Sequence, residues 1–171
     1  MNGNYFFLHK EFAHSNPSPI NPQSFQQYIT TLPKWKQSLI KNYKDNTINS
    51  SLAAAIQMKQ PLIIASDGSK SKKVSGGTWI ISDMEGKTLT AGTNPDFGNI
   101  TQIHSHRAEL YGVLSVFAFL QEYSNYFMIP VQSNINYYCD NIEVVHIINM
   151  ISNNRNYFDE QHKTTDHEAV L

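Results

Sequence analysis

The chain has 171 residues and a mass of 19.5 kDa, room for one ordinary domain and a tail. Its formal net charge is −1, so bulk charge gives no ground for nucleic-acid binding, and charged residues make up only 16%, against about 25% in typical globular chains. The single cysteine, Cys139, excludes an internal disulfide framework and a zinc cluster built on cysteines.

In chain order, the N-terminus MNGNYFFLHKEF has only a short apolar run, so no secretory signal is expected. The longest apolar run, residues 116–120, is far short of the roughly 20 needed to span a bilayer. A soluble, intracellular chain is expected (nucleus or cytoplasm), with no membrane partner. Residues 15–22 (SNPSPINP) contain three prolines and exclude regular helix. After Pro33, KWKQSLIKNY spaces Trp35, Leu39, Ile40 and Tyr43 for a short amphipathic helix, and residues 51–58 give a second candidate. Residues 34–60 carry five lysines against Asp45 alone, whereas residues 101–171 carry three basic and eight acidic residues. Residues 1–60 have too few large apolar side chains for a core of their own and read as an extension or linker to a domain spanning 61–171.

From Pro61 the texture changes. Residues 62–66 (LIIAS), bounded by Pro61 and Asp67-Gly68, read as a buried strand; TWIISD and TLTA read as two more, joined by a turn at Glu85-Gly86. Residues 105–122 form the longest helical pattern, with Leu110, Leu114, Phe117 and Gln121 on one line and Val113 and Leu120 beside it, a broad apolar face. A fourth strand follows at 136–139 (NYYC), then a helix at 141–151, and a last helix opens at 164 with Thr165 and Glu168 as a capping box. The order β-β-β-α-β-α-α predicts an α/β fold (α+β with a mixed sheet): three antiparallel strands, a helix, a parallel fourth strand and flanking helices.

Asp67 closes the first strand and Asp140 the fourth, so neighbouring strands would bring both to one sheet edge. A helix crossing the sheet could add Glu109. Acids converging without a basic partner repel, and hard divalent cations relieve that conflict. Taken singly, each acid has an ordinary reading: Asp67 as an Asp-Gly turn residue, Asp140 as a helix N-cap, Glu109 as a favourable charge near a helix N-terminus. Their order along the chain carries the stronger reading.

The runs IIASDGS, GGTWIIS, IHSHRAELYGVLSVF and YYCDNIEVV resemble a type 1 ribonuclease H domain, in the version that trails the reverse transcriptase of retroelements. The resemblance covers residues 61–147, with a fainter match in TTDHEAVL. It implies an endonuclease cleaving the RNA strand of RNA/DNA hybrids with two Mg²⁺ ions, or Mn²⁺ as substitute. Asp67, Glu109 and Asp140 map onto the catalytic metal ligands. The family continues into a fifth strand, a loop with a mobile histidine and a fourth metal-binding aspartate; all are expected to be missing here, so the chain reads as C-terminally truncated. Asp166 sits at the start of the preceding helix and is explained by helix electrostatics. The LPKWKQSLI segment resembles the connection before this domain, which implies a linked or separate reverse transcriptase domain; the chain itself is expected to be a monomer.

Substrate contacts are expected from Ser105 and His106 at the mouth of the Glu109 helix, from Ser69 and Asn141 beside the acids, and from Lys70 with Lys72 and Lys73 on a phosphate backbone. The Lys-Ser-Lys-Lys loop reads equally as a solubilising turn. His104 and His106 lack a third zinc ligand. His146 is expected to pack on an apolar helix face and Cys139 to be a buried strand residue. The alternative function is a catalytically silent ribonuclease H-like remnant with a structural or nucleic-acid-binding role. An exonuclease of the same broad fold would need a D-x-E pair, which Asp67-Gly68-Ser69 lacks.

Overall fold

A computed structural model of the chain describes residues 24–45, 51–71, 74–95 and 105–153. The elements are α1 (Phe25–Thr31), α2 (Lys34–Ile40), β1 (Tyr43–Asp45), α3 (Ser51–Gln57), β2 (Leu62–Lys70), β3 (Ser75–Ser82), β4 (Thr88–Pro95), α4 (Ser105–Phe127), β5 (Ile135–Tyr138) and α5 (Ile142–Asn153). The expected helix at 164–171, with Asp166, lies outside the described residues, as do Lys72, Lys73 and His104.

The alternation in LIIASDGSK buries Leu62, Ile64 and Ser66 on one face of β2, as a period of two demands. Trp79 and Ile81 of β3 continue that buried face. The β3–β4 turn closes where predicted: Asp83 Oδ1 accepts from the Glu85 and Lys87 amides at 3.0 and 2.9 Å, and Gly86 takes φ +83°. β2, β3 and β4 form the antiparallel meander, and β5 returns parallel to β2 after the α4 crossover. The sheet order is β1-β4-β3-β2-β5.

Two expectations are corrected here. The sheet has five strands, not four, because Tyr43–Asp45 pairs antiparallel with β4 at the edge away from β5. Asp67 also does not end its strand: β2 runs on to Lys70, with Asp67 opposite Thr78. The pairing with β3 overrides the turn signal in Asp-Gly, so the turn reading of Asp67 is gone.

Residues 25–56 supply Phe25, Ile29, Leu39, Ile40, Leu52 and Ile56 to the same core that holds Trp79, Val116 and Phe119. Phe25 packs against Phe119, Tyr123 and Tyr43 with ring centroids 5.2–5.6 Å apart. Polar contacts fix the helices in register. Ser115 Oγ donates to the Leu39 carbonyl at 2.5 Å and accepts from Trp79 Nε1 at 2.8 Å. Glu122, only 2% exposed, accepts from Lys36 Nζ at 2.5 Å and Tyr28 Oη at 2.8 Å.

The sheet-facing side of α4 is not the Leu110-Leu114-Phe117 line. It is Ala108, Gly112, Ser115 and Phe119, flanked by Val116, while Leu110, Leu114 and Phe117 are half-buried beside it. Small residues let the helix axis come down onto the sheet. A Cβ on Gly68 would stand 2.2 Å from the Glu109 amide nitrogen, and one on Gly77 would stand 2.4 Å from that of Gly112, so only glycine permits this approach.

Candidate metal centre

The last paired residues of β2 and β5 are Ala65 and Tyr138. Asp67 and Asp140 each lie two residues beyond that pair, and because the strands are parallel both stand at the same end of the sheet. α4 reaches that end through its contact with Gly68, which sets the Glu109 backbone against the residue that follows Asp67. Glu109 is the fifth residue of α4, past a first turn with no acid, so stabilisation of the helix dipole does not explain it.

Glu109 is 6% exposed. Burial pushes its carboxyl above the ordinary range; the charges of Asp140 and Asp67 add to this, and the Gly68 amide opposes it by donating a hydrogen bond. The ligand atoms of Glu109, Cys139 and Asp140 lie within 4.8 Å of one another. Asp67, which is exposed, falls outside that tight group but still bears electrostatically on Glu109. The ion pairs Lys36–Glu122 and His106–Glu143 leave Asp67, Glu109 and Asp140 out. A buried carboxylate beside two others, with neither of these ion pairs reaching them, is chemistry that suits a hard divalent ion, and the oxygen donors of Asp67, Glu109 and Asp140 fit one.

Cys139 is the component that the sequence reading missed. It lies one residue past β5, half-buried, with Sγ 4.0 Å from Glu109 Oε2. Burial and the neighbouring acids push its thiol up, against hydrogen bonds from the Asn141 backbone and Ser66. Below it the Ser66 and Tyr137 hydroxyls bond one another, and burial pushes Tyr137 up. Adjacency to Asp140 was the one signal available in the sequence.

The expected substrate residues divide. Asn141, not Asp140, is the N-cap of α5: its Oδ1 accepts from the Glu143 and Val144 amides at 3.1 and 3.2 Å. That removes the capping explanation for Asp140 and gives Asn141 a structural task. His106 Nδ1 lies 3.4 Å from Glu143 Oε2, where the starts of α4 and α5 meet, but makes no hydrogen bond to it. Ser105 opens α4, and Ser69 and Lys70 lie exposed at the end of β2. His146 is exposed rather than packed, because Val144 and Ile148 hold the inner side of α5. Among the described residues no helix is long and apolar enough to cross a membrane.

No protein-family model, curated protein or solved structure matches the chain.

Proposed function

We propose that the chain is a divalent-cation-dependent endonuclease of ribonuclease H type that hydrolyses the RNA strand of RNA/DNA hybrids. The observation that carries this reading is the equal offset of Asp67 and Asp140 beyond a parallel strand pair, with Glu109 delivered to the same end by α4. An antiparallel meander, a long crossover helix and a parallel fourth strand are also the arrangement the sequence resemblance implies.

Asp67, Glu109 and Asp140 would hold the metal. Two Mg²⁺ ions, or Mn²⁺ in their place, would supply an activated water and stabilise the leaving 3′ oxygen of a phosphodiester. The buried position of Glu109 fixes one carboxylate, while exposed Asp67 and Asp140 are reachable by substrate from solvent. His106 Nδ1, 3.4 Å from Glu143 Oε2, lies where the starts of α4 and α5 meet.

The test is a labelled RNA/DNA hybrid incubated with the full chain and Mg²⁺ or Mn²⁺, beside an Asp67→Asn variant. Metal-dependent cleavage of the RNA strand alone, lost in the variant, is the expected result. No cleavage by a chain with a cooperative melt refutes the nuclease and assigns the silent alternative.

A further inference from the structure

Residues 24–45, through the end of β1, contain four lysines against Asp45 alone. Lys36 is consumed by the buried Glu122, but Lys34, Lys41 and Lys44 are exposed. Lys34 and Lys41 lie seven residues apart along and just past α2, on the side turned away from buried Leu39 and Ile40. Two turns of helix separate them by about 10 Å. Lysines 34 and 36 also stand in the first turn of α2, where the helix dipole disfavours cations, and the helix has no acid in its first turn and no side-chain cap. For Lys36 the pairing with Glu122 offsets this, whereas exposed Lys34 breaks the local rule without such a return.

Trp35 lies between these two lysines and is 54% exposed, with the Lys36 ammonium 5.6 Å from its ring. A solubilising lysine face has no use for an exposed indole. A surface that holds phosphates and stacks an unpaired base needs both.

The sheet register places this face relative to the carboxylates. Asp67 pairs with Thr78, Thr78 with Thr93, and the Thr93 amide donates to the Asn42 carbonyl at 3.3 Å. Lys41 therefore flanks the same transverse row as Asp67, three strand spacings away, about 14 Å at about 4.8 Å per strand.

From these positions we infer that α2 and the adjoining β1 edge bind single-stranded nucleic acid, with Trp35 stacking a base and Lys34 and Lys41 holding phosphates. That the strand is one leaving a hybrid at the carboxylate site rests on the nuclease reading; the binding surface itself does not.

The experiment uses the full chain in EDTA, titrated with a 12-nucleotide oligouridylate and followed by tryptophan fluorescence and anisotropy. The chain has two tryptophans and Trp79 is 3% exposed, so a quench reports Trp35. The expected result is a salt-dependent quench that Trp35→Ala abolishes. Lys34→Gln with Lys41→Gln should reduce the slope of log affinity against log salt by about 1.4, at about 0.7 per phosphate contact on a single strand. All three side chains are exposed, and unchanged melting confirms that the variants fold. Binding unaffected by both sets of substitutions overturns the inference, and so does an oligoglutamate peptide bound as tightly as the RNA, which would assign the face to an acidic protein. Trp35-dependent binding in a chain that cleaves no hybrid refutes the nuclease and leaves this surface standing; hybrid cleavage without such binding does the reverse.

Discussion

The contact between Gly68 and α4 can be tested by one methyl group. In Gly68→Ala the new Cβ would meet Glu109 N at 2.2 Å, Ala108 C at 2.3 Å and Glu109 Cα at 2.7 Å. Ordinary carbon contacts begin near ~3.5 Å, so helix and strand must part by roughly 1.3 Å to admit it. Every clashing atom is backbone, and no side chain can swing aside. Overpacking of this kind costs about 1–3 kcal/mol, and the rigid neighbours put this case at about 3. At about 2–4 °C per kcal/mol for a chain of this size, the midpoint should fall by about 6–12 °C. Gly112→Ala is the matched control. Its Cβ would meet nothing nearer than 3.3 Å, and alanine gains about 1 kcal/mol over glycine inside a helix, so the two terms offset and the melt should barely move. Thermal melts in EDTA measure both, and melts with added Mg²⁺ read the site, since a displaced Glu109 should shrink the cation-induced rise in midpoint. Equal stability of the two variants would refute the close approach, and with it the placement of Glu109.

Three further outcomes follow from single contacts. Because burial, Asp140 and Asp67 raise the Glu109 pKa, its ionised form opposes folding: both states are protonated at low pH, and stability is lost as pH rises from the ordinary glutamate range to the raised native value. Glu109→Gln should therefore raise the metal-free melting midpoint at pH 7 and leave it unchanged near pH 3; a gain equal at both pH values contradicts this. Lys36→Met leaves Glu122, 2% exposed, without its cation and should cost about 3 kcal/mol in urea denaturation, most of it regained in the double variant with Glu122→Met; a single variant within 1 kcal/mol of the parent would show the pair to be idle. Met128 closes α4 at φ +56° and is 70% exposed, while the Ile129 amide bonds the Ser124 carbonyl at 3.1 Å; Met128→Gly keeps that terminus without the left-handed strain and should stabilise by about 1 kcal/mol in the same assay.

What the sequence made legible was whatever leaves a periodic or punctuated trace. LIIAS, TWIIS and NYY are short, β-branched or aromatic, and bounded by turn residues, so β2, β3 and β5 could be read with their order. Their ends could not: Asp67-Gly68 is a turn signal locally, and only the opposite strand, through Thr78, keeps it extended. The sheet-facing side of α4 was hidden for a related reason. Apolar periodicity points to Leu110, Leu114 and Phe117, whereas close packing selects small residues, and Ala108, Gly112 and Ser115 carry no hydrophobic signal. The contribution of residues 24–57 was hidden because its large side chains are spread over three short helices and a three-residue strand. None of these could hold a core alone, but each adds to one built elsewhere. At the site, Asp67, Glu109 and Asp140 were named from their order, while Cys139 was seen only as a strand residue because its role depends on Glu109, thirty positions away.

The presence of a thiol among the candidate ligands bears on which ion the centre favours. Cys139 would bind a soft metal such as Zn²⁺ as the thiolate. Its surroundings oppose that form: burial, Glu109 and Asp140 all push the thiol up, and the Asn141 backbone and Ser66 only partly offset them. Deprotonation would add a negative charge to a group already holding two carboxylates within 4.8 Å. A soft ion must drive off that proton to gain its best ligand, whereas a hard ion needs only oxygen. Glu109 and Asp140 supply that oxygen directly, Asp67 supplies more from the neighbouring strand, and water completes a Mg²⁺ shell readily. In that case the thiol would stay neutral, half-buried with Sγ 4.0 Å from Glu109 Oε2. The same burial that makes Glu109 costly in the empty protein would then strengthen the proposed hold on a hard divalent ion.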